Sequence, residues 1–556
     1  MAEFSIIAWQ PLLRPPLPGH LPAGYGAVRG VPLRGLACRN QTISLVALVT
    51  ADKPVNAANL IFSDLASDSD RIPATAIKSR LIGVVPTPEA GLVCDPLYEV
   101  EEFPIDKCAA VHVSVRIPRR VRAGKYRGIV ALAVDGDDVT ANAIEIEVAN
   151  VDLPDVRDWT FFLNVWMNPG AVARWYGVEV WSDEHFRVLR PYIEDLASHG
   201  QKTAVVPICY QPWGTQTRDP YPNSTRWIKR EDGWHFDFSA FDDYVELHES
   251  CGIDRAIHCF TMAQGNKDGG NIIEFYDAQA GVLKRVETAI GDDVYTEAWS
   301  AFLKAFVDHL HQKGWLEKTY IAFDERDRAT MEAAIDFLER HAPQLGVSLA
   351  GNVDQDMYPR IDDLSLHIPF DERGIAKPAP SERSVIGSVR LLEPRSSCRI
   401  GTQCPQRVLT TYYVCCGPEH PNTFLFSPLI ESRMLPWLAL QGGYDGFLRW
   451  SYNDWSDDPY NHPEWGLWPT GDVFLVYPGP NGPVSSLRWE QLFEGIADYE
   501  LALIASANVK TPEEIVDYEQ AITIACRSVD GRVKSPGDIE LARRLLIPIA
   551  ERQTKI

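Results

Sequence analysis

The sequence lacks any apolar run long enough to cross a membrane as a helix. Its first residues, Met1 to Trp9, also lack the basic start and the apolar stretch of a secretory signal. We therefore expect a cytoplasmic protein without a membrane role. A secreted chain whose export signal has been removed would show the same pattern.

Basic residues are in deficit. The 556 residues include 53 Lys and Arg against 76 Asp and Glu, which gives a formal net charge of −23 at pH 7. An acidic surface repels phosphate backbones and anionic lipid headgroups, so we expect no nucleic-acid partner either. Uncharged molecules are the natural class of ligand.

Cysteines are also few for this length. There are 11 of them, and an odd number in so long a chain does not form a disulfide framework. Cys415 and Cys416 are adjacent, so they cannot form a CxxC motif, and no group of Cys and His has zinc-finger spacing. We predict mostly small, buried thiols, and neither a metal site nor a cofactor.

Residues 1–154 have the pattern of β structure. Apolar and β-branched segments alternate with turn sequences such as Asp135-Gly-Asp-Asp, and no part has a clear helical period. The pattern predicts an N-terminal β-sandwich that ends near Pro154. Its clearest strands are predicted over residues 42–49, 111–117, 128–134 and 143–148.

In residues 155–482 short apolar strands alternate with amphipathic helices, as in a parallel sheet. Eight such strands within about 300 residues favour an α/β architecture of the (β/α)8-barrel type, and an open doubly wound sheet is the alternative. Such a sheet usually carries a Gly-rich phosphate loop after its first strand, and residues 164–170 are not one. The strands are predicted over residues 161–166, 203–208, 255–260, 319–324, 347–351, 363–368, 409–414 and 445–450.

Helical periodicity is clear between the predicted strands, over residues 182–199, 299–310 and 331–338, and again in the C-terminal region. Residues 182–199 have apolar side chains at helical spacing, with Ser182 as a plausible N-cap. Residues 483–556 form a predicted C-terminal helical region, with helices over residues 485–505, 512–529 and 536–551.

The C-terminal ends of the strands in a parallel barrel converge on one mouth. At these ends the sequence places carboxylates, amides, Trp and Tyr, which suit a sugar: polar groups bind hydroxyls and aromatic faces cover the C–H side of a pyranose. A single Trp or Tyr is more often a packing residue, so the prediction depends on the cluster. The predicted sugar-contacting residues are Trp166, Asn168, Asn352, Tyr412, Tyr413, Trp450, Asn453 and Trp455.

Asp324 and Glu325 end the apolar strand over residues 319–324. Consecutive carboxylates there are costly unless they are hydrated, paired or used. Glycosidic cleavage needs a proton donor and a second carboxylate, which usually comes from another strand. Neighbouring carboxylates suit a reaction in which the 2-acetamido oxygen of the substrate is the nucleophile. The alternative is a helix start, with Arg326 and Arg328 as ion-pair partners.

Read together, these segments resemble glycoside hydrolase family 123. The similarity lies in Asp324-Glu325 and in residues 411–422, 443–455, 468–479 and 486–500. Residues 62–65 and 123–128 resemble the N-terminal β domain of the family, so the resemblance covers nearly the whole chain. It implies an exo-acting, retaining β-N-acetylgalactosaminidase that uses substrate-assisted catalysis on an oligosaccharide or glycoconjugate.

The resemblance also implies roles for individual residues. Asp324 would orient and stabilise the acetamido group as it forms an oxazolinium ion, and Glu325 would be the general acid and then the base. The family tyrosine that holds the acetamido oxygen matches Tyr413 or Tyr412, whose side chains point to opposite faces of their strand. Trp450 and Asn453 would line the sugar pocket.

Two other functions fit the same residues. The protein could act on another sugar, N-acetylglucosamine or a glycoside without an acetamido group, with Asp354, Asp445 or Glu393 as a conventional nucleophile. It could also be a non-catalytic carbohydrate-binding protein. A partner-binding role for the β region alone is less favoured, because nothing in it resembles a site.

Overall fold

Twelve strands make up the N-terminal region in a computed structural model that describes residues 3–21, 30–265, 270–367, 409–526 and 535–552. They are β1 Phe4–Trp9, β2 Leu33–Arg39, β3 Thr42–Ala51, β4 Val55–Phe62, β5 Leu65–Ala66, β6 Arg71–Ile72, β7 Ile77–Thr87, β8 Gly91–Tyr98, β9 Phe103–Ile105, β10 Cys108–Arg116, β11 Gly124–Val134 and β12 Asp137–Asp152.

These strands form two sheets. One has the order β1-β3-β10-β7-β8, and the other has the order β2-β12-β11-β4-β9, with β5 paired to β11 and β6 paired to β5. Alternate side chains, such as Val113 of β10 and Ile146 of β12, meet in one aliphatic core. The sheet-rich region predicted from the alternating pattern is therefore present.

Fourteen further strands follow in the described part of the chain. They are β13 Phe162–Val165, β14 Thr203–Pro207, β15 Arg226–Arg230, β16 Gly233–Asp237, β17 Ala256–Phe260, β18 Asn271–Asp277, β19 Val282–Thr288, β20 Thr319–Asp324, β21 Gly346–Ala350, β22 Asp363–His367, β23 Leu409–Tyr413, β24 Gly446–Arg449, β25 Tyr477–Pro478 and β26 Pro483–Val484.

Eight of these strands form one parallel sheet in the order β13-β24-β23-β22-β21-β20-β17-β14. Each strand lies beside its successor, and a single parallel bridge between Leu163 and Gln201 joins the two ends into a nearly closed barrel. This order excludes the open doubly wound sheet, in which the strand order reverses. The eight strands match the predicted ones to within one residue at each described end; Ile368 of the sixth lies outside the described residues.

The described helices are α1 Pro169–Tyr176, α2 Asp183–Ser198, α3 Ser239–Cys251, α4 Asp293–Lys313, α5 Arg328–His341, α6 Leu429–Gly442, α7 Leu487–Asn508, α8 Pro512–Cys526 and α9 Pro536–Ala550. Ser182 caps α2 as predicted, because its side chain accepts a hydrogen bond from the His185 N–H. None of these helices is long and apolar enough to cross a membrane.

The alternation of strand and helix has one described exception. A 3₁₀ helix, Gln355–Arg360, links β21 to β22 in place of an α-helix. The connection is short, and Pro359 within it has no backbone N–H to donate. The barrel is therefore less regular than eight equal strand–helix units.

The segments after β14 and β17, which the sequence pattern leaves unassigned, form an outer sheet in the order β16-β15-β18-β19. The Gln264 side chain ties this sheet to the barrel. Its Nε2 donates to the carbonyl oxygens of Tyr210 and Ile272, each at 2.9 Å, and its Oε1 accepts from the Ile272 N–H at 2.7 Å. The outer sheet therefore stands at the rim of the barrel mouth.

Helix α7 connects the three regions through buried charges. Asp498 of α7 accepts hydrogen bonds from Arg433 of α6 and from Arg543 of α9. Glu494, one turn earlier, accepts from Arg433 and from the Ser44 N–H of β3. Removing one member would leave a buried charge without its partner, which is strongly destabilising.

Candidate active site

Asp324 is the last residue of β20, and Glu325 follows it in a left-handed conformation with φ of 46°. Neighbours in a strand point to opposite faces, and the turn at Glu325 ends that alternation. The Tyr413 hydroxyl donates a 2.6 Å hydrogen bond to Glu325 Oε1. Burial, then Glu325 and Asp324, raise the pKa of Tyr413. Both carboxylates thus lie near one phenol.

Neighbouring backbone holds the turn at Glu325. The Glu325 N–H donates to the Ala350 carbonyl oxygen at 2.7 Å. A Cβ placed on Gly351 would lie 3.2 Å from Glu325 Cα and 3.3 Å from its nitrogen, so only glycine fits there without displacing Glu325. The left-handed region costs a non-glycine residue about 1–2 kcal/mol. The hydrogen bond to Ala350 helps to offset the cost of this conformation, and together with the close approach of Gly351 it fixes the position of the Glu325 backbone.

The ionisation of Asp324 is shifted. Burial and the adjacent Glu325 carboxylate raise the pKa of Asp324 to about 7, against the opposing effects of Arg326 and the Trp213 indole. The Arg326 guanidinium donates to backbone, to the carbonyl oxygens of Asp324 at 2.6 Å and Gln264 at 3.0 Å. Asp324 therefore titrates near neutral pH, which is common for carboxylates that take part in catalysis.

The pair does not begin a helix. Helix α5 begins at Arg328, and its N-cap is Asp327, whose side chain accepts a hydrogen bond from the Thr330 N–H. Arg328 pairs with Glu332, Asp354 and Asp356 and not with Asp324 or Glu325. The helix-start explanation of these two carboxylates is therefore wrong.

Tyr412 and Tyr413 take opposite sides of β23. The Tyr413 hydroxyl faces Glu325, whereas the Tyr412 hydroxyl donates to the Leu435 carbonyl oxygen of α6 at 2.6 Å. Tyr412 also packs against Phe447, so it belongs to the layer between barrel and helices. Of the two tyrosines left open by the sequence, Tyr413 is the one at the mouth.

Aromatic rings form the floor of the mouth. Trp166, Trp213 and Phe260 lie with ring centroids 4.7–5.2 Å apart. Each indole is only 2% exposed, and the Trp166 N–H donates to no residue in the part of the chain that the structure describes. The floor is therefore a layer of closely packed aromatic rings in which the buried Trp166 N–H has no described protein partner.

Two further predicted contacts lie at the rim. Trp450 is half-buried after β24 and meets Trp468 at 5.8 Å between ring centroids, nearly edge to face. Asn352 is exposed directly after Gly351, whose backbone abuts Glu325. Both residues therefore lie at the rim of the mouth, as predicted for Trp450 and Asn352 from their places after strand ends.

Asn168, Asn453 and Trp455 lie inside the protein, contrary to expectation. Asn168 caps α1 by accepting from the Gly170 N–H at 2.9 Å, and its own N–H donates to Asn453 Oδ1 at 2.7 Å. Trp455 is fully enclosed, and its indole N–H donates to the Val476 carbonyl oxygen at 2.7 Å. The segment after β24 folds inward, where its polar groups are satisfied by protein atoms.

The conventional nucleophiles considered above are placed elsewhere. Asp445 precedes β24, at the barrel end opposite the mouth, and accepts from the Thr410 N–H at 2.9 Å. Asp354 is exposed and pairs with Arg328 at 2.7 Å. Glu393 lies outside the described residues. Of the carboxylates considered from the sequence, Asp324 and Glu325 are therefore the ones that the structure places at the mouth.

Three residues of the site are absent from the predicted set. Trp213 ends the aromatic stretch after the second barrel strand, so a signal for it was present in the sequence. Phe260 reads as an ordinary strand residue, and Gly351 as an ordinary turn glycine. Among the described residues no group of three His, Cys, Asp or Glu side chains is arranged to hold a metal ion.

The sequence model of the glycoside hydrolase 123 catalytic domain matches residues 166–505. A solved family 123 glycoside hydrolase from Clostridium perfringens, studied for glycolipid glycan hydrolysis, is 22% identical with a TM-score of 0.80, over 99% of this chain and 98% of that one. A Bacteroides ovatus GH5 xyloglucanase is 9% identical with a TM-score of 0.28, over 84% of this chain and 98% of that one. No curated protein matches the sequence.

Proposed function

Because the chain belongs to glycoside hydrolase family 123, we propose that it releases terminal β-linked N-acetylgalactosamine, with retention of configuration and with the acetamido group of the substrate as nucleophile. The observation that carries this proposal is the turn of two consecutive carboxylates, Asp324 and Glu325, toward Tyr413. A conventional retaining site needs carboxylates about 5–5.5 Å apart, on opposite sides of the scissile bond. Adjacent carboxylates instead suit two roles on the same side of the sugar, one toward the acetamido group and one toward the glycosidic oxygen.

In the first step protonated Glu325 gives its proton to the glycosidic oxygen. The acetamido carbonyl oxygen attacks C1 as the bond from C1 to the glycosidic oxygen breaks, so the leaving sugar departs as an alcohol and an oxazolinium ion forms. The Asp324 carboxylate accepts the hydrogen bond of the acetamido N–H and stabilises its growing positive charge.

In the second step Glu325, now a carboxylate, takes a proton from water. The water oxygen attacks C1 and the bond from C1 to the acetamido oxygen breaks. Two inversions at C1 give net retention, and Glu325 is protonated again for the next cycle. Apart from the attacking water, no group outside the chain and the substrate is needed for proton balance.

Tyr413 has two tasks in this scheme. Its hydroxyl orients the Glu325 carboxylate in the free protein, and it can turn to the acetamido oxygen when substrate enters. The Trp166, Trp213 and Phe260 floor would cover the apolar face of the sugar. The similar Clostridium protein was studied for glycolipid glycan hydrolysis, which supports a glycoconjugate glycan as the substrate class here.

A screen of aryl glycosides tests the proposal. We expect turnover of the N-acetyl-β-galactosaminide, little turnover of the plain β-galactoside, and strong inhibition by the thiazoline analogue of the oxazolinium ion. Comparable turnover of the plain galactoside, together with indifference to the thiazoline, would contradict substrate assistance. Faster turnover of the N-acetylglucosaminide would reassign the sugar and leave the mechanism in place.

A Glu325→Gln variant separates an enzyme from a sugar-binding protein. Removing a general acid costs about 10²–10⁴-fold in rate. We expect that loss with an alkyl or sugar leaving group, and a smaller loss in the first step with a dinitrophenyl group, which departs without protonation. Unchanged turnover of both substrates would exclude Glu325 as the acid.

A further inference from the structure

A groove of about 850 Å³ runs beside the barrel mouth and has no part in the chemistry described above. Its size lies within the range of about 300–1,000 Å³ that is usual for small-molecule sites. One wall is the loop after β14, a second is the β18–β19 hairpin of the outer sheet, and a third is the loop that precedes β25. Its characteristic side chains are Gln216, Ile272, Glu287, Trp465, Leu467 and Trp468.

Two contacts place the groove beside the mouth. Trp468, in its wall, packs against Trp450 at the rim of the mouth. Gly265, in its floor, is so close to the catalytic segment that a Cβ there would lie 3.4 Å from Nη2 of Arg326. Arg326 in turn donates to the carbonyl oxygen of Asp324. The groove therefore adjoins the mouth, within reach of a chain of sugars that leaves it.

Hydrogen bonds between its walls keep the groove open without a ligand. The Trp468 indole N–H donates to the Gln216 carbonyl oxygen at 3.3 Å, and the Gly265 N–H donates to the Pro212 carbonyl oxygen at 2.8 Å. Gln264 fixes the hairpin wall through the three hydrogen bonds given above. A preformed site of this kind binds with a small loss of conformational entropy.

The lining indicates the chemistry of the occupant. Leu467 is 99% exposed, and its neighbours along the chain, Trp465 and Trp468, are half-buried. Large apolar side chains that stand exposed in a groove can cover the C–H faces of sugar rings, and the Gln216 amide can bind hydroxyls. Glu287 is exposed in the opposite wall of a protein with a net charge of −23, which disfavours sulfate or carboxylate on the ligand.

We propose that this groove binds the leaving-group side of a neutral oligosaccharide, at least two uncharged sugars next to the one that is cleaved. The inference rests on the proposed glycosidase function and adds to it the class of glycan that is preferred. Trp465 and Leu467 supply the contact surface, and Glu287 discriminates against acidic glycans.

Two substrates that share the cleaved sugar test the groove. One is an aryl N-acetyl-β-galactosaminide, which is too small to fill the groove, and the other carries the same sugar on lactose. In Trp465→Ala and Leu467→Asp we expect KM for the trisaccharide to rise about tenfold while kcat/KM for the aryl substrate stays within about twofold of wild type. Leu541→Asp is the matched control, because Leu541 is also exposed, at 47%, but lies on α9.

Two outcomes would overturn the assignment. Equal losses with both substrates would mean that Trp465 and Leu467 only support the mouth, and unchanged kinetics with both would mean that the groove does not touch the glycan. Lactose titration followed by ligand-observed NMR tests the groove without catalysis, so it stays decisive if the cleaved sugar proves to be another one. Saturable binding that Leu467→Asp weakens supports the groove, and absent binding to wild type contradicts it.

The charge of the wall has its own test. With a trisaccharide that carries a sulfate on its lactose part, Glu287→Gln is expected to raise kcat/KM about threefold at low salt and less at high salt, since salt screens exposed charges. The neutral trisaccharide should be unaffected. An equal response of both substrates would remove Glu287 from the proposal.

Discussion

The Tyr413 hydroxyl reaches across the barrel mouth to Oε1 of Glu325, at 2.6 Å. Tyr413 ends β23 and Glu325 follows β20, and two strands, β22 and β21, lie between them in the sheet. A phenol donates to an unprotonated carboxyl oxygen, so when Glu325 carries its proton the other oxygen must hold it. In the free protein the bond thus selects which oxygen of Glu325 carries the proton.

Tyr413→Phe should lower kcat about 10–100-fold, because a hydrogen bond to a charged group contributes about 1.5–3 kcal/mol. Steady-state kinetics on the aryl N-acetyl-β-galactosaminide measure this. Tyr412→Phe is the matched control: it removes a buried bond to Leu435, so it should lower the thermal midpoint and leave kcat nearly unchanged. A larger loss of kcat in the Tyr412 variant would contradict the orientation of β23.

The raised pKa of Asp324 predicts the acid side of the pH profile. In the proposed mechanism the ionised form of Asp324 stabilises the oxazolinium ion, so kcat/KM should fall as the pH drops through about 7, the pKa of this carboxyl. Well below that value the fall should approach about tenfold per pH unit. A flat profile between pH 5 and 8 would show that Asp324 does not act as an anion.

The pH dependence of stability should be opposite to that of activity: the contribution of Asp324 to stability should fall as the pH rises. The folded pKa of about 7 lies above the unfolded value of about 3.9, so between these values the folded chain keeps a proton that the unfolded chain has lost. The contribution of Asp324 to stability therefore declines as the pH rises from about 4 to about 7. Asp324→Asn should raise the thermal midpoint more at pH 8 than at pH 5, while it abolishes most activity. An equal shift at both pH values would argue against the raised pKa.

Gly351 should be a positioning residue for the acid. In Gly351→Ala the new Cβ would press on the Glu325 backbone at 3.2 Å, so we expect kcat to fall at least about tenfold with little change in KM. Gly314→Ala is the control, because Gly314 has a φ of 72° but open space around it; it should affect stability alone. Unchanged kcat in a folded Gly351→Ala protein would show that the close approach of Gly351 to the Glu325 backbone is not needed for catalysis.

Cys416 should be the most reactive of the described cysteines. A hydrogen bond from Cys415, 3.8 Å away between sulfurs, lowers the pKa of Cys416 to about 7, whereas burial raises the pKa of thiols such as Cys259. Iodoacetamide should therefore modify exposed Cys416 first, with a rate at pH 6 about one tenth of that at pH 8. Peptide mass spectrometry measures this, and Cys416→Ser should abolish the fast phase.

Because Cys416 is near enough to Glu325 for the two charges to interact, its alkylation should also reduce activity. Cys416→Ser should keep wild-type turnover and resist inactivation. Inactivation that persists in this variant would place the sensitive thiol elsewhere.

The site divides into residues that local pattern predicts and residues that it does not. Asp324 and Glu325 stand out because two carboxylates end an apolar strand, and Ser182 stands out because a cap precedes a helical period. Trp450, Asn453 and Trp455 belong to one segment rich in aromatic and amide side chains, and the sequence predicts the same role for all three. Only Trp450 lies at the rim. Their segment folds inward because Trp455 bonds to Val476 and Asn453 bonds to Asn168. Both partners lie outside the segment, and Asn168 is far from it in sequence.

The sequence by itself determined the eight parallel strands, their order of appearance and the strand end that holds the acidic pair, because these depend on short periods and caps. Tertiary structure alone decided that Tyr413 and not Tyr412 meets Glu325. Both faces of a barrel strand are buried, one against the interior and one against helices, so alternation cannot tell them apart. The outer sheet and the groove beside the mouth likewise arise from pairings between distant segments, which no local pattern records.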